Sequence, residues 1–309
     1  MIFRNNVNII IVVYNGMQWL KRCLNSCNNF NTIIVDNKSS DNSVRFIQNN
    51  YPSITILSQN ENLGFGAANN IGISYALKNN ADYIFLLNQD AYLEEGTIEK
   101  LIEVHKNNIN YGILSPIHLN GDGKKLDLNF SNYLQKNKKL LYDSLKHNFT
   151  NKVYEVPFVN AAGWLLPKNT LKNIGGFDPI FYHYGEDDNY CQRVLFHGYK
   201  IGVVIDSYIL HDREFRRRKE EISNKDKLLL KERYLKYKLA NINCDIDKNL
   251  IKERRKLKIQ IIKFILRLRF RSAYYFFKEL NLLNKIVPAV RKSRSITKKI
   301  GRHYLNIAQ

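Results

Sequence analysis

The sequence is poor in cysteine, with four (Cys23, Cys27, Cys191, Cys244) in a chain of 309 residues. So few, so placed, make no disulfide framework. Cys23 and Cys27 stand four apart in a helical stretch, but nothing nearby completes a zinc site. They read as small buried residues of a protein kept in a reducing compartment. Long apolar runs are also missing. No uncharged stretch reaches about 18 residues, which excludes a spanning helix. The apolar run in "MIFRNNVNIIIVVYN" is too short for a secretory signal and has no small-residue cleavage site. A cytoplasmic setting is therefore expected. Internal repeats and low-complexity segments are absent, and 44% hydrophobic residues exclude wholesale disorder.

Acidic residues are scarce in one region only. From Asp212 to the end there are 29 Lys/Arg against 10 Asp/Glu, whereas the preceding residues hold 19 against 18. Nearly all of the formal net charge of +20 thus belongs to the last third. Any argument from basicity concerns the tail, not the body.

What the body does have is a regular alternation of strand and helix patterns. "VNIIIVVYN" (7–15) is β-branched and near-continuous, as in a parallel strand buried on both faces. "GMQWLKRCLNSC" follows with helical spacing, then a second buried strand, "TIIVDN" (32–37), closed by the turn-rich "KSSDNS". "SITILSQ" (53–59) and "DYIFLLNQD" (82–90) are the third and fourth strands, separated by a Gly/Asn loop entering a helix. This order predicts a doubly wound α/β sheet. "GILSPI" and "YEVPFVNAAGWLLP" look like further strands around a polar excursion. Composition changes beyond His211, which places a boundary near residue 213: an α/β domain over 1–212 and a basic helical region over 213–309.

Ligands of open α/β sheets bind beyond the carboxyl ends of the strands. Here those ends carry "YN" (14–15), "DN" (36–37), "NENLGFGAANN" (60–70) and "NQD" (88–90). Asp36 can accept from a ribose hydroxyl or a base N–H, though taken alone a turn or cap role is the commoner explanation. Gly64 and Gly66 allow close backbone approach, and the following helix start favours an anion. Asp90 is a hard oxygen donor suited to a divalent cation on a diphosphate. A second cluster lies in "HYGEDDNYCQRV" (183–194), where three consecutive carboxylates precede a helix between aromatic and apolar flanks. Such crowding costs stability unless a cation or a task compensates, and enclosure would raise one carboxyl toward the range of a general base. A solvated loop complementing the helix dipole is the plainer alternative.

In order, "VVYN", "VDNKSSDNS", "ENLGFGAANN", "LLNQDA", "IGGFDPIFYHYGEDDNYCQRVLFHGYKIG" and "ILHD" resemble the motifs of family 2 glycosyltransferases, over roughly residues 5–213. These are inverting enzymes of the GT-A fold that use nucleotide sugars. The likeness is greatest to bacterial enzymes of surface polysaccharide or lipopolysaccharide synthesis, rhamnosyltransferase-like members included. The resemblance implies a Rossmann-like mixed sheet flanked by helices, with the basic helical region as an extension. It implies Asp187 as catalytic base, with Glu186 beside it, and Asp90 and His211 near a Mg²⁺ or Mn²⁺ ion and the diphosphate. Tyr14, Asn15, Asp36, Asn62, Gly64, Asn69, Asn88 and Gln89 would lie around the donor, a UDP, dTDP or GDP sugar. Asp188, Trp164 and Arg193 would lie toward the sugar or acceptor, although Trp164 also reads as core. One position departs from the pattern: the first acid of the Asp-x-Asp motif is Asn88, so the site offers a cation one charge fewer.

The tail segment 256–287 mixes Ile, Leu and Phe with Lys and Arg. A basic amphipathic helix of this kind suits the surface of an anionic membrane. Packing on the catalytic domain or a second subunit is the alternative, and nucleic acid is set aside. The expected protein is thus a cytoplasmic glycosyltransferase on the inner membrane face, acting on a glycan or lipid-linked hydroxyl. A nucleotidyltransferase would want a basic Gly-rich loop directly after the first strand, which "YNGMQW" lacks, and the acidic cluster argues against a non-catalytic sugar-binding module.

Overall fold

The computed structural model describes residues 6–135, 137–213 and 224–307. The chain runs β1 (Val7–Val13), α1 (Met17–Ser26), β2 (Asn31–Asp36), α2 (Ser43–Asn50), β3 (Thr55–Ser58), α3 (Phe65–Lys78) and β4 (Tyr83–Asn88). There follow β5 (Ala91–Leu93), α4 (Thr97–Asn107), β6 (Tyr111–Asn120), α5 (Leu128–Leu134), α6 (Lys138–Leu145), β7 (Val153–Glu155) and β8 (Gly163–Pro167). The remainder is α7 (Lys168–Ile174), α8 (Glu186–Phe196), β9 (Lys200–His211), α9 (Asn224–Ala240), α10 (Ile246–Leu266) and α11 (Phe270–Thr297).

The strands form one mixed sheet in the order β3-β2-β1-β4-β8-β6-β9-β5, with β7 on β9. The first four are parallel, as their unbroken apolar runs predict. Alternate residues feed two cores. Ile10, Val35, Ile84 and Leu86 face α3 and α8, while Ile9, Ile11, Ile34 and Phe85 face α1 and α4. The helix α3 comes close to the sheet because Gly72 has no side chain: a Cβ there would stand 2.6 Å from Ile10 Cγ2. Beyond β4 the pattern breaks, since β8 lies antiparallel between β4 and β6. Of "YEVPFVNAAGWLLP" only the two ends are strand, and Val156–Ala162 is irregular. Cys23, Cys27 and Cys191 are buried free thiols, whereas Cys244 is exposed.

The start of the basic region, 214–223, lies outside the described residues. From α9 onward, apolar side chains build a third core. Leu235 and Leu239 of α9, Leu250 and Leu257 of α10, and Leu283, Ile286 and Val290 of α11 gather with Phe181 of the body. Paired contacts Asp247–Arg291 and Arg254–Asn284 show α10 and α11 running antiparallel. The acids of this region are neutralised internally, Glu253 by Lys238 at 2.5 Å and Glu279 by Lys231 at 2.9 Å. The chain then returns to the body. His303 O accepts from Gly176 N at 2.8 Å, and Leu305 joins the core of Ile10 and Trp164. Among the described residues no helix is long and apolar enough to cross a membrane.

Leu283 is fully buried at the centre of the third core. Leu283→Ala is expected to destabilise the protein by about 2–5 kcal/mol in denaturant unfolding, by loss of transfer energy and an uncollapsed cavity.

Candidate active site

The parallel strands all end on one edge of the sheet, and there the chain forms a cavity of about 860 Å³. Its floor comes from strand ends: Val12 near the end of β1 and Tyr14 just after it, Asn37 after β2, and Asn88 at the end of β4 with Gln89 and Asp90 after it. Gln89 does not face it freely. Its amide clamps the turn after β1, accepting from Tyr14 N at 3.0 Å and donating to Tyr14 O at 3.2 Å. Asn37, which sequence reasoning did not single out, holds the next loop through Asn62 Oδ1 at 2.9 Å and Leu63 N at 2.8 Å. Gly64 is required twice over. Its φ is +80°, and a Cβ there would stand 1.8 Å from the carbonyl of Tyr182, where the segment before α8 crosses the start of α3.

The acids of "GEDD" occupy the first turn of α8, after Gly185 at φ +94°. Glu186, Asp187 and Asp188 all line the cavity, and the dipole of α8 favours negative charge at that end. Asp187 Oδ1 accepts from Asp188 N at 2.9 Å, and burial raises its carboxyl above the ordinary value. Glu186 is only 4% exposed, and its Oε2 finds no hydrogen-bond partner among the described residues. Burial, then the charge of Asp187, pushes it up to about 8. The expected enclosure is found at Glu186, but the acids stand within the first turn of α8 rather than in a loop ahead of it, and the flanking Tyr182 and Tyr184 are exposed.

Across the floor lies a buried polar cluster. His211, last residue of β9, places Nε2 at 3.5 Å from Asp90 Oδ1 and 3.5 Å from Asn88 Nδ2. Its Nδ1 is 3.4 Å from Asp127 Oδ2, which also meets Arg213 Nε at 3.0 Å. Burial would raise the Asp127 carboxyl, but His211, the Phe130 N–H and Arg213 together hold it well below the usual range. Asp127 and the cavity-lining Arg213 were not anticipated. Asp127 signals itself in sequence only as an N-cap, and its meeting with His211 spans 84 residues. His118 is also inside, buried against Phe130 and His211, and burial lowers its pKa. No three His, Cys, Asp or Glu side chains converge on a metal position among the described residues. Asp90 and His211 are the two side chains here that could serve a cation that takes its other ligands from a diphosphate and water.

Other expected site residues stand elsewhere. Asn15 binds Ser40 N at 2.8 Å and Asp36 binds Ser39 N at 3.2 Å, so both knit the loop behind the cavity wall. Asn69 is buried within α3, donating to Phe65 O at 3.0 Å. Trp164 is core, its ring packed against Phe177 and Tyr190. Arg193 corrects the expectation most plainly. Two helical turns below Glu186, it is fully buried and gives its guanidinium to the carbonyls of Gly176 and Ile174. It has no face for a sugar.

The Glu186 environment has a thermodynamic signature. Unfolded, its carboxyl has an ordinary value of 4.5, against about 8 when folded. The folded state therefore favours the protonated form, a stabilisation complete below the lower value and lost as pH rises through the upper one. Glu186→Gln is expected to narrow the difference in melting temperature between pH 5 and pH 8.5.

With this geometry established, comparison places the chain among known proteins. The model of glycosyl transferase family 2 matches residues 8–174, more than half the chain. A dTDP-rhamnosyl transferase of Shigella flexneri is 22% identical over 218 residues, 67% of this chain and 69% of that protein. A minor teichoic acid biosynthesis protein of Bacillus subtilis is 25% identical over 215 residues, 65% of this chain but only 22% of that longer protein. Among solved structures, the S. aureus TarS fragment 1–349 superposes with TM-score 0.53 at 14% identity, over 95% of this chain and 88% of that one. GalNAc-T7 with UDP, GalNAc and Mn²⁺ gives TM-score 0.54 at 14% identity, over 78% of this chain and 51% of that one. The fold is GT-A, and the chain belongs to glycosyl transferase family 2 as a glycosyltransferase.

Proposed function

We propose that the protein transfers a sugar, with inversion, from a nucleotide-diphosphate sugar to a hydroxyl of a glycan or lipid-linked acceptor in bacterial surface polysaccharide synthesis. The observation that carries this reading is that Asp187, at the start of α8, and Asp90, backed by His211, belong to one cavity. A base for the acceptor and a place for the leaving group's charge thus face the same cavity. The acceptor hydroxyl gives its proton to Asp187 as its oxygen bonds to the anomeric carbon. On the opposite face the bond from that carbon to the diphosphate oxygen breaks, and the nucleoside diphosphate leaves. Asp90 and His211 would hold Mg²⁺ or Mn²⁺, which when bound offsets the charge gathering on the diphosphate. Tyr14 and Asn62 face the donor, and Asp188 with Tyr182–Tyr184 forms the acceptor side. The relatives favour a dTDP- or UDP-type donor: one is a dTDP-rhamnosyl transferase, and TarS is seen with UDP-GlcNAc.

The basic tail divides in two on this reading. Its middle faces pack as the third core. The turn between α10 and α11 remains uncovered, with Leu266 79% and Leu268 77% exposed and Ile262 and Phe270 beside them. From Arg254 to Lys278 the sequence holds nine Lys/Arg and no Asp or Glu. A cationic apolar tip of this kind seats on anionic lipid at the cytoplasmic face, near lipid-linked acceptors. Nucleic acid needs no such exposed Leu and Phe.

Two outcomes are expected. Asp187→Asn should lower the transfer rate by about 10²–10⁴-fold while donor binding stays near wild type, as for loss of a general base. Nucleoside diphosphate release from a panel of sugar nucleotides measures it, and near-wild-type turnover would remove Asp187 from the role. Secondly, the full chain should sediment with phosphatidylglycerol vesicles and not with phosphatidylcholine vesicles, and Leu266→Glu with Leu268→Glu should abolish this. Equal sedimentation of the variant, or its conversion from oligomer to monomer without change in lipid binding, would remove the membrane role of the tip.

A further inference from the structure

Aromatic side chains crowd the cavity, and most of them are already engaged. Tyr133 and Phe158 pack edge to face at 4.8 Å, and Phe65 meets Phe177 at 6.0 Å. The Tyr184 ring has the His183 ring at 4.0 Å and the Arg233 guanidinium at 4.8 Å. Tyr182 differs. It lines the cavity and is 60% exposed, and no ring or cation among the described residues lies over it.

A lone exposed tyrosine needs no explanation when it is loose, but Tyr182 is fastened at both ends. Its carbonyl stands where a Cβ on Gly64 would come within 1.8 Å, so its backbone is wedged against the start of α3. Its hydroxyl donates to Asn62 O at 3.1 Å, from 120 residues away in the chain. Two residues on, Tyr184 takes φ +66°, followed by Gly185 at +94°. The left-handed region is costly for a bulky residue, and such positions persist where a ligand clamp needs them. The Tyr182 ring is thus a fixed apolar face left open to the cavity. A surface already ordered loses little freedom when a ligand stacks on it.

What fits that face is set by its neighbours. Glu186, Asp187 and Asp188 line the same cavity, and Glu186 Oε2, in a residue only 4% exposed, has no hydrogen-bond partner among the described residues. Carboxyl groups take hydrogen bonds from hydroxyls and, when ionised, repel a phosphate. A pyranose carries both complements. Its rim holds hydroxyls, and its face holds polarised C–H bonds that suit the negative face of an aromatic ring. A polyol phosphate offers hydroxyls without a flat C–H face, and it brings a charge that the acids oppose.

We infer that Tyr182 is a specificity-determining residue of the acceptor side: its fixed ring stacks on the C–H face of a neutral pyranose. The group presented to Asp187 is then a sugar of a glycan chain and not a polyol phosphate. The inference rests on the acceptor side given in the proposed function, and its test reads binding instead of turnover.

Saturation-transfer NMR is run on the full chain saturated with UDP, using the methyl pyranosides of glucose, galactose, N-acetylglucosamine and rhamnose, and glycerol 3-phosphate. Saturation is expected on the ring C–H protons of at least one pyranoside and not on glycerol 3-phosphate. Tyr182→Ala is expected to weaken that pyranoside about 10-fold, as for loss of one stacking face. Tyr182→Phe loses the bond to Asn62 but keeps the ring, and is expected to keep most of the affinity. UDP affinity, measured by titration calorimetry, is expected to be the same in the two variants, since only the ring distinguishes them. Absence of transfer to every pyranoside, preference for glycerol 3-phosphate, or equal pyranoside affinity in Tyr182→Ala and Tyr182→Phe overturns the inference. So does a UDP affinity lower in Tyr182→Ala than in Tyr182→Phe, which places the nucleobase on the ring. Near-wild-type turnover of Asp187→Asn removes the base and leaves the stacking result standing, so the two failures stay distinct.

Discussion

The parallel seam between β1 and β4 is the constraint on which the rest of the site depends. Val12 lies opposite Asn88 in that register, so the two strands end at the same depth. Asn8 aside, both are apolar along nearly their whole length, and a slip by one residue would turn every side chain to the wrong core. With the register fixed, Gln89 falls within reach of Tyr14, and its amide locks the two turns together. Asp90 then enters the floor of the cavity, where His211 can meet it.

Around that floor, polar groups are arranged by elements far apart in sequence. The acids of α8 approach from above because Gly64 lets the Tyr182 carbonyl pass where any side chain would collide. Their placement at a helix start eases like-charge crowding, while burial keeps the carboxyls of Glu186 and Asp187 raised. On the other side, β9 delivers His211 and the loop before α5 delivers Asp127. In the proposed function, the first side would take a proton and the second would hold charge.

The C-terminal region contributes to this indirectly. Phe181, immediately before the cavity-lining Tyr182–Tyr184, is buried in the core of α9–α11. Arg233 of α9 lies over the Tyr184 ring at 4.8 Å. The last described residues return across the body, and Leu305 enters its main core. What reads as an appendage by charge is continuous with the body by packing, except at the uncovered α10–α11 turn.

Much of this was legible in the sequence. Unbroken β-branched runs mark strands buried on both faces, so the parallel half of the sheet and its strand-end residues follow from periodicity and turn chemistry. Asp90, Asn88, the acids of α8 and the uneven charge follow in the same way, and the ordered motifs add the family. Other features are set by contacts between residues distant along the chain. Arg193 looks like a site residue because local sequence carries no record of depth, and only the packing of α8 shows that it lies in the core, whereas Trp164 already read as core in the sequence. Asp127 looks like a helix cap, and it is one. That its second oxygen also reaches His211 depends on β6, α5 and β9 being brought together. Local patterns of hydrophobicity determine the strands and where they end, whereas the meeting of side chains 84 residues apart exists only once the sheet has formed.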